Sequence, residues 1–250
     1  MQRVIYYLLN KFFMNPVEKE IVKYLDNKNH IVFDVGCFRG TFTKKLIKCG
    51  YKLGMKFNFF LFDPNPNVKN YLRRLLKNEK IKYHELALDN SNLHKKFYLN
   101  NFFESSGSSL IKLVKDDKVW KRTRKIVMQI LQPYKKIGDF SEIIVQTQTL
   151  DNFCFKEKIE SIDVLKIDAE SNELNVLKGA KKLLSENKIY LIYTEIAGTK
   201  KKFSEKEKSV FDFLNSNNFE LKKKYQIKSA SFLSDLKVTD NIFVNKTFIT

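Results

Sequence analysis

Residues 31–42 read Ile31-Val32-Phe33-Asp34-Val35-Gly36-Cys37-Phe38-Arg39-Gly40-Thr41-Phe42. Ile31, Val32, Phe33 and Val35 are β-branched or aromatic, as a buried parallel strand requires. Asp34, Gly36 and Gly40 end the run. Beyond Gly40 the spacing of Phe42, Leu46 and Ile47 changes to that of one helical face. The stretch therefore predicts strand, tight glycine turn and helix, the unit that binds ligands at the carboxyl ends of strands in an open α/β sheet. Gly36 is expected to permit the turn, and Gly40 to let the helix start approach a ligand. Asp34 stands where it suits a cation or ligand hydroxyls and amines, not a pyrophosphate. The spacing is D-x-G-x-x-x-G, so a nicotinamide or flavin fingerprint fits poorly.

Outward from this unit, strands alternate with helices. A second strand over 57–62 ends at Asp63. Pro64 and Pro66 then stop pairing and open a helix of about 10 residues through Val68, Leu72 and Leu75. An acid here, about 20 residues past the glycine turn, suits the two ribose hydroxyls of a nucleoside ligand. Further strands are expected at 81–88, 93–99, 143–148, 162–167, 189–196, near 219–226 and at 241–245. Helices are expected through Leu174–Leu184 and over 204–216. Residues 162–167 end at Asp168-Ala169-Glu170, and 189–196 carry Glu195. Such alternation implies a parallel sheet with right-handed crossovers, and the last pair of strands an antiparallel edge.

The 250 residues, 43% of them hydrophobic, suffice for one domain with decorations. Residues 1–30 read as a helical lead-in, with Val17, Ile21, Val22 and Leu25 facing inward over 17–27. Residues 31–250 read as the main domain. The apolar face of residues 1–14 is expected to pack on the domain or on a second copy, which makes a homodimer one expectation; an interfacial membrane helix is the alternative. No apolar run reaches the roughly 18–20 residues of a transmembrane span, and no cleavage pattern marks a signal peptide. The three cysteines are an odd number without zinc spacing, which points to a reduced, cytoplasmic setting. His84 and His94 have no metal-like spacing. The net charge of +18 suggests an acidic partner, although abundant Lys, Asn, Ile and Phe also mark an AT-rich genome. The most basic part is an expected helical insertion over 111–142. There Trp120 would face inward, and Lys121, Arg122 and Arg124 would line a substrate lid or an anion-binding face.

The motifs VFDVGCFRGTFT (32–43), FDPNP (62–66), SSL (108–110), TLDNF (149–153), IDVLKIDAESNELNVLKGA (162–180) and YTEI (193–196) resemble, in order, those of FkbM-type methyltransferases. This is a branch of the class I enzymes dependent on S-adenosylmethionine (SAM). The chain departs from that pattern at Ser171, where the family usually has Gly, and at Asp63, where it often has Glu. The insertion is also longer than the family's. The resemblance implies a Rossmann-like α/β fold: a mostly parallel seven-stranded sheet with helices on both faces and an antiparallel edge strand. It implies SAM as cofactor, with Asp34, Gly36, Phe38, Gly40 and Thr41 at its methionine end and Asp168 also among the cofactor contacts. Asp63 and Pro64 would lie at the ribose, and Ala87 and Leu88 against the adenine.

The implied reaction is methyl transfer to an oxygen by in-line displacement, in which the enzyme aligns the reactants and removes the acceptor proton. Asp168 is then the expected base, pointing toward the reacting methyl. Glu195 would orient the acceptor, and Lys166 would pair with Asp168 or reach the acceptor itself. Asp168, Glu170 and Glu195 are three hard oxygen ligands suited to Mg²⁺. Glu173 reads as charge compensation at a helix start. Ser108 and Ser109, with Lys121, Arg122 and Arg124, are expected substrate contacts. The expected acceptor is a sugar hydroxyl of a glycan or glycoconjugate. A cap-type RNA 2′-O-methyltransferase is the alternative, opposed by Glu195 standing where that catalytic set wants Lys. A third reading is a non-catalytic protein of the same fold that binds RNA or a partner subunit, opposed by the retained Asp34, Gly36, Asp63 and Asp168.

Overall fold

The computed structural model of the chain describes residues 16–26, 28–100, 107–111, 140–226 and 236–248. Seven strands form the central sheet: β1 (Asn29–Val35), β2 (Lys56–Phe62), β3 (Ile81–His84), β7 (Ile162–Ile167), β8 (Ile189–Thr199), β9 (Phe219–Gln226) and β10 (Leu236–Asn245). Their order is β3-β2-β1-β7-β8-β10-β9. β3, β2, β1, β7 and β8 are parallel neighbours, and β10 is antiparallel to both β8 and β9. This is the expected Rossmann-like arrangement, with one correction. The antiparallel strand is second from the edge, because β9 leaves a vacant slot beside β8 that β10 fills on its return.

Alternation along the strands sends side chains to two separate cores. Phe33 and Val35 of β1, Phe60 and Phe62 of β2, and Leu165 and Ile167 of β7 face one way. There they meet α4 (Leu150–Glu157), α5 (Glu173–Lys178), α6 (Lys181–Ser185) and α7 (Lys200–Ser216). Val32, Phe59, Leu61 and Val164 face the other way. They are covered by α1 (Val17–Ile21), α2 (Thr41–Tyr51) and α3 (Val68–Leu72). A strand covered on both faces needs apolar residues in both phases, which is why β1 and β2 read as continuous apolar runs. Each fully buried Phe contributes about 1.5–3 kcal/mol through removal from water.

Several expected boundaries move. The lead-in helix ends at Ile21, although Val22 and Leu25 are buried as expected. The helix expected through Leu184 breaks at Gly179–Ala180 into α5 and α6. The strand expected over 81–88 splits. Ile81–His84 stays in the main sheet, whereas β4 (Ala87–Leu88) pairs parallel to β6 (Phe140–Gln148). β6 also pairs antiparallel to β5 (His94–Asn100), giving a second sheet in the order β4-β6-β5. β6 begins at Phe140, so the end of the expected insertion is strand. The expected helix in 1–14 lies outside the described residues, as do Trp120, Lys121, Arg122 and Arg124. Among the described residues no helix is long and apolar enough to cross a membrane.

Candidate active site

The turn after β1 is held by backbone from both neighbouring strands. The amides of Gly36 and Cys37 donate to the Phe62 carbonyl at 2.9 and 3.1 Å, and the Asp168 amide donates to Val35 at 3.1 Å. Gly36 has φ +70°, and a Cβ there would lie 1.9 Å from the Asp168 carbonyl oxygen. Only glycine satisfies both constraints.

Beneath the turn lies Lys166, 5% exposed. Its ammonium donates to the carbonyls of Val35 (3.0 Å) and Gly36 (2.8 Å) and stands 3.1 Å from Asp34 Oδ1 and 3.5 Å from Asp168 Oδ2. Burial works against the charged form, but the carboxylates of Asp34 and Asp168 overcome it and hold the ammonium above the ordinary lysine range. Period-two spacing puts Lys166 on the same side as Asp168, as expected. Its donors face the turn, the pairing with Asp168 being one of the two expected roles, and it does not line the cavity onto which the turn opens.

The turn opens onto a cavity of about 240 Å³ above the carboxyl ends of β2, β1, β7 and β8. Gly36, Phe38, Asp63, Pro64, Ala87 and Leu88 line one part of it; Ser108, Asp168, Glu170 and Glu195 line the other. Asp63 Oδ2 accepts from the Phe38 amide and Oδ1 from the Asn65 amide, both at 3.0 Å. These bonds fix the carboxylate at the cavity wall. Burial raises the Asp63 carboxyl to about 6, against the pull of those two amides.

Three expected cofactor contacts do not line the cavity. Asp34 is fully buried, accepts from the Thr43 hydroxyl at 2.7 Å and acts through Lys166. Gly40 makes room for the next helix rather than for a ligand: a Cβ there would meet Leu75 at 2.5 Å and Leu72 at 3.0 Å. Thr41 begins α2, outside the lining. The expected substrate contact Ser109 is buried, and its hydroxyl donates to the Glu170 carbonyl at 2.6 Å. Several wall residues were not foreseen, among them Asn65, Leu86, Phe97, Leu110 and Asn172. The alternation over 93–99 marks Phe97 as inward, but not the second sheet that carries it to this wall.

All four ionisable residues among the described lining are acids: Asp63, Asp168, Glu170 and Glu195. Burial, then Asp168 and Glu173, push Glu170 to about 8. Burial, then Asp168, Asp240 and Glu170, push Glu195 well above the usual carboxylate range. Glu173 is likewise raised by burial and pulled back by amide hydrogen bonds. Its Oε1 accepts from the Ala169 and Ser171 amides at 3.2 and 2.9 Å, so it caps this loop. Among the described residues no three His, Cys, Asp or Glu side chains are grouped to hold a metal ion. The expected Mg²⁺ set of Asp168, Glu170 and Glu195 is corrected accordingly. The three acids share a wall without converging on one point, and burial with mutual repulsion favours the neutral forms of Glu170 and Glu195.

The family model described as the methyltransferase FkbM domain matches residues 34–221. The 2-O-methyltransferase NoeI of Sinorhizobium fredii is 26% identical over 182 residues, covering 72% of this chain and 68% of its own length. Among solved structures, a methyltransferase FkbM from Methylobacillus flagellatus aligns with TM-score 0.49 and 16% identity over 87% of this chain. The alignment covers 44% of that longer chain. Fibrillarin from Aeropyrum pernix, with natively bound SAM, aligns with TM-score 0.44 and 10% identity, covering 97% of this chain and 74% of its own.

Proposed function

Because the chain belongs to the FkbM methyltransferase family, we propose that it is a SAM-dependent O-methyltransferase acting on a sugar hydroxyl of a glycan or glycoconjugate. The observation that carries this reading is the placement of Asp63 and Asp168 in one cavity, on either side of a turn that only glycine can make. The fit to the cofactor rests on three features of that cavity. Gly36 lines the cavity and presents backbone to it, Asp63 offers lone pairs suited to vicinal hydroxyls, and Ala87, Leu88 and Phe97 form an apolar wall for a flat ring. SAM supplies a sulfonium-bound methyl electrophilic enough to need no further activation.

The protein's work is alignment and proton removal. Asp168 extends from the end of β7 beside the turn and takes the proton of the acceptor hydroxyl. Lys166 holds the Asp168 carboxylate from behind, at 3.5 Å. Glu195, whose neutral form is favoured by burial and by Asp168, Asp240 and Glu170, is placed to donate a hydrogen bond to the acceptor and orient it. Ser108 lies on the same wall and contributes a hydroxyl to acceptor binding.

An RNA acceptor fits less well. A phosphate next to a reacting 2′-hydroxyl would meet Asp168 and Glu170, with no lysine or arginine among the described lining residues. The relative named a 2-O-methyltransferase supports oxygen as the methylated atom. Calorimetry with SAM and S-adenosylhomocysteine tests the cofactor; a folded protein that binds neither would sink the proposal. Transfer of labelled methyl onto free oligosaccharides, set against capped RNA, tests the acceptor. Transfer to RNA alone would replace the glycan reading. Asp168→Asn is expected to abolish transfer and spare cofactor binding, and full activity would remove Asp168 as the base.

A further inference from the structure

The loop after β7 carries two consecutive left-handed residues that are not glycine, Glu170 at φ +49° and Ser171 at φ +83°. Side chains rarely tolerate this region, and it persists only where surrounding contacts over-determine it. Three such contacts are present. Glu173 accepts from the amides of Ala169 and Ser171 (3.2 and 2.9 Å), and the Ser109 hydroxyl donates to the Glu170 carbonyl (2.6 Å). The third comes from a distant element: Lys206 of α7 donates to the Ser171 hydroxyl and, at 2.9 Å, to the Ala197 carbonyl of β8.

Lys206 differs from its neighbours on the same helix. Lys202 and Lys208 are exposed, whereas Lys206 is half-buried with its donors on uncharged oxygens of two separate segments. Burial lowers its affinity for the proton, Glu173 and Glu170 restore part of it, and Lys202 opposes them. A desolvated cation spent on two neutral oxygens is expensive unless the join it makes matters. Here it joins the segment bearing Asp168 and Glu170 to the strand bearing Glu195.

We propose that Lys206 is a positioning residue for the active site: by bridging Ser171 and Ala197 it locks the Asp168–Ser171 loop against β8 and keeps Glu170 and Glu195 on the cavity wall. Serine at position 171 is part of the same device, since a glycine would adopt the backbone angle unaided but would offer Lys206 no hydroxyl. The functional half of this inference rests on the cofactor reading above; the mechanical half does not.

The test uses the full chain with Lys206→Met, Lys206→Arg, and Ser171→Gly alone and combined with Lys206→Met. Binding of S-adenosylhomocysteine is measured by calorimetry, and exchange of the Ala169 and Ser171 amides by hydrogen–deuterium exchange. Lys206→Met is expected to weaken binding about tenfold, as loss of charged hydrogen bonds predicts, and to speed exchange at both amides while thermal unfolding stays cooperative. Lys206→Arg should restore both readouts by returning the cation. Ser171→Gly removes the hydroxyl that the ammonium bridges, so it should speed exchange at the same amides, and the double variant should be no worse than Lys206→Met alone. Wild-type binding and exchange in Lys206→Met would overturn the proposal, as would failure of the Lys206→Arg rescue or losses that add in the double variant. A wild-type protein that binds no cofactor defeats the earlier reading instead, and the exchange measurement still decides the latch.

Discussion

Replacing Lys166 by methionine would remove one ammonium and keep most of the side-chain volume. The charge lost stands 3.1 Å from Asp34, which is fully buried, and also serves the Val35 and Gly36 carbonyls at 3.0 and 2.8 Å. Removing one partner of a buried ion pair strands the other, typically at about 3–5 kcal/mol. Set against a total stability of about 5–15 kcal/mol, the variant would be marginally folded. Asp34→Asn combined with Lys166→Met removes the fully buried stranded charge, leaving only the part-exposed Asp168 without its lysine, and should recover at least about half of the loss. Urea unfolding of the wild type, both single variants and the double closes the cycle. The folded-state affinity of Lys166 for its proton is raised. Its stabilising contribution is therefore complete below the unfolded lysine value of about 10.5 and fades only as pH climbs beyond it. A destabilisation below about 1 kcal/mol, or a double variant no better than Lys166→Met, would refute the view that this pair anchors the turn.

Gly36→Ala should cost at least about 2 kcal/mol in urea unfolding and remove cofactor binding, since the backbone angle and the Asp168 carbonyl both exclude a methyl; wild-type affinity in a folded variant would argue that the turn is not the cradle. Asp63→Ala should weaken SAM binding by about 1–3 kcal/mol in calorimetry, and unchanged affinity would remove Asp63 from the ribose. Glu170, raised to about 8 in the fold against an ordinary value of 4.5, binds its proton more tightly when folded. Wild-type stability contributed at this position is therefore lost as pH rises from about 4.5 to about 8 and is level above. The stability difference between Glu170→Gln and wild type should widen in favour of the variant across that window, and parallel unfolding curves at pH 5, 7 and 9 would contradict it.

The parts of the fold legible in the sequence are those where one local rule decides. The apolar run 31–35 bounded by Asp34 and Gly36 marks a buried strand and its turn, and Asp168 and Glu195 stand at comparable points of their own strands. Lys166 shows the limit. Period two places it beside Asp168, but its targets, Asp34 and two backbone carbonyls, lie more than 100 residues away and appear only once β1 and β7 pair. Gly40 reads equally as a ligand cradle or a helix contact, and only the position of Leu72 and Leu75 decides. Ala87 and Leu88 look continuous with Ile81–His84, since apolar content does not say which sheet a strand joins. The insertion of β10 between β8 and β9 likewise depends on a slot that no local pattern records.

The lining of the cavity bears on turnover as well as on binding. Burial and mutual repulsion favour the neutral forms of Glu170 and Glu195, so only the remaining carboxylates of the wall would meet a sulfonium ligand before methyl transfer and a neutral thioether after it. Carboxylates shielded from water attract the first more strongly than the second, and the loss of that attraction falls at the moment the product is made. On this reading the wall works as an exit ramp: the reaction discharges its own ligand, and the protein lets go of the spent cofactor without having to move.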